Sequence, residues 1–190
     1  MIDRKEALAL LRKYNKAENL INHALSVEAV MRRFADHYGE DVEYWGLIGL
    51  LHDIDYELYP EQHCKMAPAL LEEEGIDQEM IRAIVSHGWG ICSDVEPVKQ
   101  VEKVLYTIDE LTGLITATAL MRPSKSLHDL SVKSVIKKWK TKGFSAGVDR
   151  DLIQKGCDML PMERNEVIQL SIEGMRTVAA EIGLEGTKDE

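Results

Sequence analysis

Residues 41–56 read DVEYWGLIGLLHDIDY. Asp41 is a helix-capping residue, and the run behind it is apolar enough to be a buried helix. Side chains three, four and seven apart share one face of a helix, so Trp45 and Ile48 lie on the same side as His52. Asp55, Tyr56 and Pro60 then break the pattern, which leaves His52-Asp53 at the helix end. There the changing backbone lets two adjacent side chains converge on one point, as they cannot in mid-helix.

Outward from this stretch the same 3.6-residue period dominates, and strand-like alternation is scarce. Asp3 caps a first helix to about Tyr14, and a second runs from about Ala17 to Gly39. Beyond Pro60 a helix is expected over 61–74 and ends at Gly75; Asp77 opens another that closes with His87-Gly88. A long apolar helix follows over 97–121, then a Pro-Ser turn, a basic helix near 131–140 and two final helices near 150–159 and 163–182. The last residues, GTKDE, read as frayed. The expected fold is all-α, a bundle of about eight or nine helices in a single domain over 1–190. Its parts are a core over about 20–115, a basic segment over 122–142 and C-terminal helices over 150–182.

Composition narrows the function classes. Three cysteines, Cys64, Cys92 and Cys157, are widely spaced without a CxxC pair, which points away from both a disulfide framework and a cysteine zinc site and towards a reducing cytoplasm. On this reading Cys64 has no role. No stretch approaches the roughly 20 apolar residues of a membrane span, so no membrane partner is expected. The net charge of -10 argues against a nucleic-acid polymer as partner. Residues 122–142 nevertheless hold seven Lys or Arg against one acid, a local +6 that leaves -16 elsewhere.

The polar residues on apolar stripes carry the chemistry. His23 shares its face with Leu20, Val27 and Val30; His63 with Met66, Ala67 and Leu70; His87 with Met80, Ala83 and Ile84. Asp109 lies among Leu105, Ile108 and Thr112 and needs a compensating cation or donors, because burying a lone carboxylate costs several kcal/mol. One histidine on an apolar stripe is ordinarily a satisfied core residue. Four of them together with two acids call for a common partner, and imidazole plus carboxylate suits a borderline divalent ion such as Mn, Fe, Co or Zn better than calcium.

The order His23, then His52-Asp53, then Asp109 within Ile108-Asp109-Glu110-Leu111 resembles the HD superfamily of metal-dependent phosphohydrolases, over about residues 22–114. The resemblance implies an all-helical HD-type bundle in which His23, His52, Asp53 and Asp109 ligate a divalent metal. His63 and His87 stand where branches with two metals carry further histidines; these branches include the HD-GYP phosphodiesterases and HD-type dinucleoside tetraphosphate hydrolases. That likeness implies a second ion held by His63 and His87 and bridged by Asp53. The chain departs from the HD-GYP pattern: Asp55 and Tyr56 replace the glycine and lysine of HDIGK, there is no GYP motif, and Ser86 stands where a second histidine often adjoins the first. Cyclic di-GMP cleavage is therefore not implied.

The chemistry so implied is attack of metal-activated hydroxide on the phosphorus of a small phosphoester or phosphoanhydride, nucleotide-derived, with one or two ions drawn from Mn, Fe, Co, Zn or Mg. Asp55 or Glu110 would relay a proton. Arg122 and Lys125, flanking the turn after the Asp109 helix, are the candidate phosphate clamp, while Lys133, Lys137, Lys138, Lys140 and Lys142 read as a solvated helix face. Trp89 is placed at the pocket mouth to stack on a base; Trp45 and Trp139 read as packing, and His37 and His128 as exposed. Two other functions fit the same ligands: a non-catalytic nucleotide- or metal-sensing module and a di-iron oxygenase.

Overall fold

The computed structural model describes residues 2–186, and nine α-helices make up its regular structure. Met1 and residues 187–190 lie outside the described residues, as does most of the GTKDE tail. The helices are α1 (Arg4–Tyr14), α2 (Glu18–Tyr38), α3 (Val42–Leu51), α4 (Ala67–Glu73), α5 (Gln78–Ser86), α6 (Gln100–Leu120), α7 (Val132–Trp139), α8 (Arg150–Asp158) and α9 (Arg164–Arg176). There is no strand among the described residues; a single bridge joins Trp89 and Ser93 across a tight loop. No helix among them is long and apolar enough to cross a membrane.

Local chemistry sets the boundaries. Asp3 accepts from the amide of Glu6 while Glu6 reaches back to the amide of Asp3, a reciprocal pair that starts α1. Asp41, Asp77, Ser131 and Asp149 accept from the first free amides of α3, α5, α7 and α8 in the same way. Gly39 closes α2 in the left-handed region, φ 71°.

Three elements differ from the sequence-based expectation. The helix expected from residue 61 begins only at Ala67: a short 3-10 turn at Pro60–Gln62 is followed by Cys64 with φ 63°, which no right-handed helix accommodates. Helix α6 begins at Gln100 because Glu102 accepts from the amides of Val98 and Lys99 and holds those residues outside the helix. The last helix ends at Arg176 and continues as turns. Hydrogen bonds from Leu127 N to Leu184 O and from Ser126 Oγ to Glu185 O draw the following chain across the molecule.

Helix α2 is sandwiched between α3 and α9 and crosses α6, which is flanked on another side by α8. The two longest helices thus form the centre, and their buried faces join one contiguous apolar cluster. It includes Ile21, Val30 and Phe34 of α2, Ile48 and Leu51 of α3, Ile108 and Ile115 of α6, and Ile168 and Met175 of α9. Two buried acids brace this frame with ordinary cations. Glu28 lies between Arg4 and Arg32, at 2.6 and 2.9 Å, and Glu102 pairs with Arg82.

Candidate metal centre

Five elements send polar side chains to one place. His23 comes from the first third of α2, His52 and Asp53 from the end of α3, His63 from the turn after the 3-10 segment, His87 from the end of α5 and Asp109 from the middle of α6. The imidazoles meet through Nε2: His23 and His52 lie 3.2 Å apart, and His63 and His87 3.1 Å.

The other ring nitrogens explain why this contact is unusual. His52 Nδ1 donates to the carbonyl of Gly49 at 2.8 Å and His87 Nδ1 to that of Ile84 at 2.6 Å; His63 Nδ1 donates to Asp55 Oδ1 at 2.8 Å. Thr112, whose hydroxyl donates to the Asp109 carbonyl, presents its lone pair to His23 Nδ1 at 3.4 Å. With the proton on Nδ1 in each case, all four Nε2 atoms carry lone pairs into the same space. Lone pairs facing at 3.1–3.2 Å repel unless a cation stands between them, and fixing Nδ1 to a carbonyl or carboxylate is how proteins orient metal-binding histidines.

The carboxylates complete the donor set. Asp53 Oδ2 lies 3.6 Å from His23 Nε2 and 3.4 Å from His52 Nε2, whereas Asp53 Oδ1 lies 3.4 Å from the Nε2 atoms of both His63 and His87. Asp109 Oδ1 is 2.9 Å from His23 and 3.3 Å from His52. Unlike Glu28 and Glu102, neither acid has a Lys or Arg partner among the described residues. The groups His23, His52, Asp109 and His52, Asp53, His87 each bring donor atoms close enough together to hold one ion. Mixed nitrogen and oxygen donors of this kind fit a borderline divalent metal.

Electrostatics says the same. Burial disfavours the imidazolium form of His52, yet the charges of Asp53 and Asp109 more than reverse this and hold its pKa well above the ordinary range. Burial alone would raise Asp109 and Asp53, but the facing histidines pull both below the usual carboxylate range. Protons stand in for the positive charge that the site is built around.

The cavity over this cluster holds about 340 Å³ and is lined by His23, Asp53, His63, His87, Asp109 and Glu110, with Tyr56, Ile91 and Cys92 on its wall. Glu110 is raised by burial first and by Asp109 second. Asp55 is not on this lining: it is wholly buried, with one oxygen on His63 and the other on the amide of Ala67 at 2.9 Å. It positions His63 and has no oxygen free to relay a proton.

The proposed phosphate clamp is not brought to the cavity. Arg122 lies thirteen residues beyond Asp109, a helical rise of about 20 Å, and its guanidinium is engaged by Asp129 at 2.7 and 3.1 Å. Lys125 is exposed and sits in the left-handed region. Trp89 also turns away: its ring packs on Tyr106, centroids 5.9 Å apart, under the ammonium of Lys155 at 3.6 Å. No Lys or Arg lines the cavity among the described residues.

Sequence reasoning missed several residues near the centre. Thr112 was visible only as a neighbour on the Asp109 face. Asn19 and Asn22, with Ser26 and Thr116, line a second cavity of about 500 Å³ that shares His23 and Gly113 with the first; the signal for the three on α2 was polarity about one turn or less from His23, and for Thr116 its place on the Asp109 helix. Cys64 and Cys92 lie with their sulphurs 2.8 Å apart, the Cys64 thiol pushed up and the Cys92 thiol pushed down to about 6 by their mutual hydrogen bond. Nothing in their sequence spacing pointed to this.

The comparisons with known proteins bear on the same region. A tRNA (cytidine(56)-2'-O)-methyltransferase of Thermoplasma volcanium is 27% identical over 152 residues, covering 78% of this chain and 44% of that protein. The chain thus spans less than half the length of this relative. No solved structure matches. The family model for the HD domain matches residues 20–139, well over half of the chain and the whole of the histidine and aspartate cluster. The chain belongs to the HD domain family, in general a family of metal-dependent hydrolases.

Proposed function

We propose that the protein hydrolyses a small, nucleotide-derived phosphoester or phosphoanhydride with two divalent ions. One observation supports this most: the two oxygens of Asp53 face different histidine pairs, His23 with His52 and His63 with His87, as a carboxylate bridging two ions would. In this reading His23, His52 and Asp109 would hold one ion and His63 and His87 the other, with Asp53 available to both. Divalent ions bound so supply an acidified water at neutral pH and neutralise charge on the phosphoryl oxygens.

The chain's own residues do the rest. Glu110, on the cavity wall and pushed up by burial and by Asp109, stands where it can exchange a proton with the leaving oxygen. The adjoining cavity, with the amides of Asn19 and Asn22 and the apolar Leu120 and Leu184, offers hydrogen bonds and apolar cover to the organic part of the substrate. Because no Lys or Arg lines either cavity among the described residues, the phosphate charge falls to the ions.

The expectation that nucleic-acid polymers are excluded rested on net charge, and the comparison does not support it, since the printed name of the relative is that of an enzyme acting on tRNA. The test is a hydrolysis panel, read by separation of the products, of nucleotides, cyclic nucleotides, dinucleoside polyphosphates and tRNA with Mn, Co, Fe and Mg. Turnover of a nucleotide that requires the metal is expected. Retention of metal without turnover of any substrate would favour a sensing module, and oxygen consumption by an iron-loaded, reduced sample would favour an oxygenase.

A further inference from the structure

Beside the histidine cluster lies a donor set of different character. Cys64 is buried, Cys92 is half-buried on the cavity wall, and all three cysteines are free thiols. Cys64 Sγ is 2.8 Å from Cys92 Sγ and 3.9 Å from His87 Nε2, and a ring nitrogen of His63 lies within 4.8 Å of both sulphurs. We propose that Cys64 and Cys92, with His63 and with His87 as fourth donor, form a thiolate subsite that takes a soft or borderline divalent ion, zinc above all.

The backbone is shaped for this convergence. Cys64 adopts φ 63°, a left-handed conformation that residues with a Cβ avoid, and its sulphur meets that of Cys92 behind the cavity wall. Gly88 makes the room: a Cβ there would lie 2.3 Å from Cys92 Sγ and 2.6 Å from Cys64 Sγ. The 88–93 loop fixes the second sulphur, with the amides of Cys92 and Ser93 both donating to the carbonyl of Gly88 at 3.0 Å. Two sulphurs and two imidazole nitrogens are a donor set that tetrahedral zinc uses. With zinc–sulphur bonds of about 2.3 Å the sulphurs stand about 3.8 Å apart, so the pair opens by about 1 Å from its hydrogen-bonded separation, within reach of side-chain rotation. Binding takes both sulphurs as thiolates, and any proton still held as S–H passes to solvent.

His87 Nε2, which would serve the sulphurs, also faces Asp53 Oδ1 at 3.4 Å, as does His63 Nε2. One ion at the sulphurs therefore excludes a harder ion from the His63 and His87 side of Asp53, and the thiols decide which metal occupies that half of the centre. This inference concerns binding alone and does not depend on the hydrolytic reading.

The experiment is a titration of the metal-stripped, fully reduced full-length chain with cadmium and, separately, cobalt, recording sulphur-to-metal charge-transfer absorption. The band is expected to saturate at one ion per chain, to vanish in the folded Cys64→Ser/Cys92→Ser variant, and to need at least tenfold more cadmium in His87→Ala. If the double variant does not fold, Cys92→Ser alone should lose about half the band. Manganese bound before the titration should fall as the band grows. Absence of the band with three thiols counted by titration would overturn the proposal, as would a band that persists in the double variant. A Cys64–Cys92 disulfide in air, together with no band after reduction, would make the pair a redox pair instead. Unchanged manganese with the band present would overturn the assignment of His63 and His87.

Discussion

Asp55 shows how a residue can govern the centre without touching its cavity. One oxygen fixes His63 and the other caps the first turn of α4, so Asp55→Ala leaves a ring N–H and a backbone amide unpaired in the interior. Affinity for an ion at His63 and His87 should fall 10–100-fold, while an ion at His23, His52 and Asp109 is retained; elemental analysis across a metal titration reads both. A second residue-scale expectation concerns pH. The metal-free protein gains stability from a raised His52, a contribution fully present below the ordinary imidazole value of 6.5 and lost as pH rises through the raised folded value. The metal-free melting temperature should therefore fall on the alkaline side, while the metal-loaded protein, whose ion replaces that proton, does not follow it. Of these residues, the helical-face test on sequence singled out His23, His52, His87 and Asp109, because each stands in or at the end of a real helix. It singled out His63 for a reason that does not hold, since His63 lies outside any helix and is turned inward by Asp55.

At the scale of elements, the packing of α9 on α2 depends on Gly174. A Cβ there would stand 2.8 Å from the Ala29 carbonyl oxygen and 2.8 Å from Val30 Cα, both backbone atoms that cannot swing aside. Alanine gains about 1 kcal/mol of helix propensity over glycine but meets an overpacking cost of about 1–3 kcal/mol. Gly174→Ala should lower the unfolding free energy by up to about 2 kcal/mol in urea titration; a raised midpoint would mean that the two helices separate freely. Helix starts were legible wherever an Asp or Ser side chain caps them, as at α1, α3, α5, α7 and α8. The start of α4 was not, because the left-handed turn at Cys64 depends on tertiary surroundings rather than on local propensity. Proximity in sequence also misled: Arg122 follows the helix of Asp109 directly, but a helix carries its two ends far apart.

For the whole molecule, the all-helical class followed from the period of the apolar residues. The pairing of helices did not, since local pattern says which face is buried and not what covers it. The centre gathers donors from residue 23 to residue 109, and an ion held there braces α2, α3, α5 and α6 against one another. Chelation should lower the melting temperature, and free manganese at a thousandfold excess over its Kd should restore about 4 kcal/mol; equal melting curves with and without the ion would count against any native metal site. The Nδ1 hydrogen bonds described above have a consequence at this scale. Each imidazole is already held by a protein group, so the ligands are preorganised before an ion arrives. Metal entry then requires no refolding, the metal-free chain keeps its shape, and the donor atoms rather than a folding step select the ion.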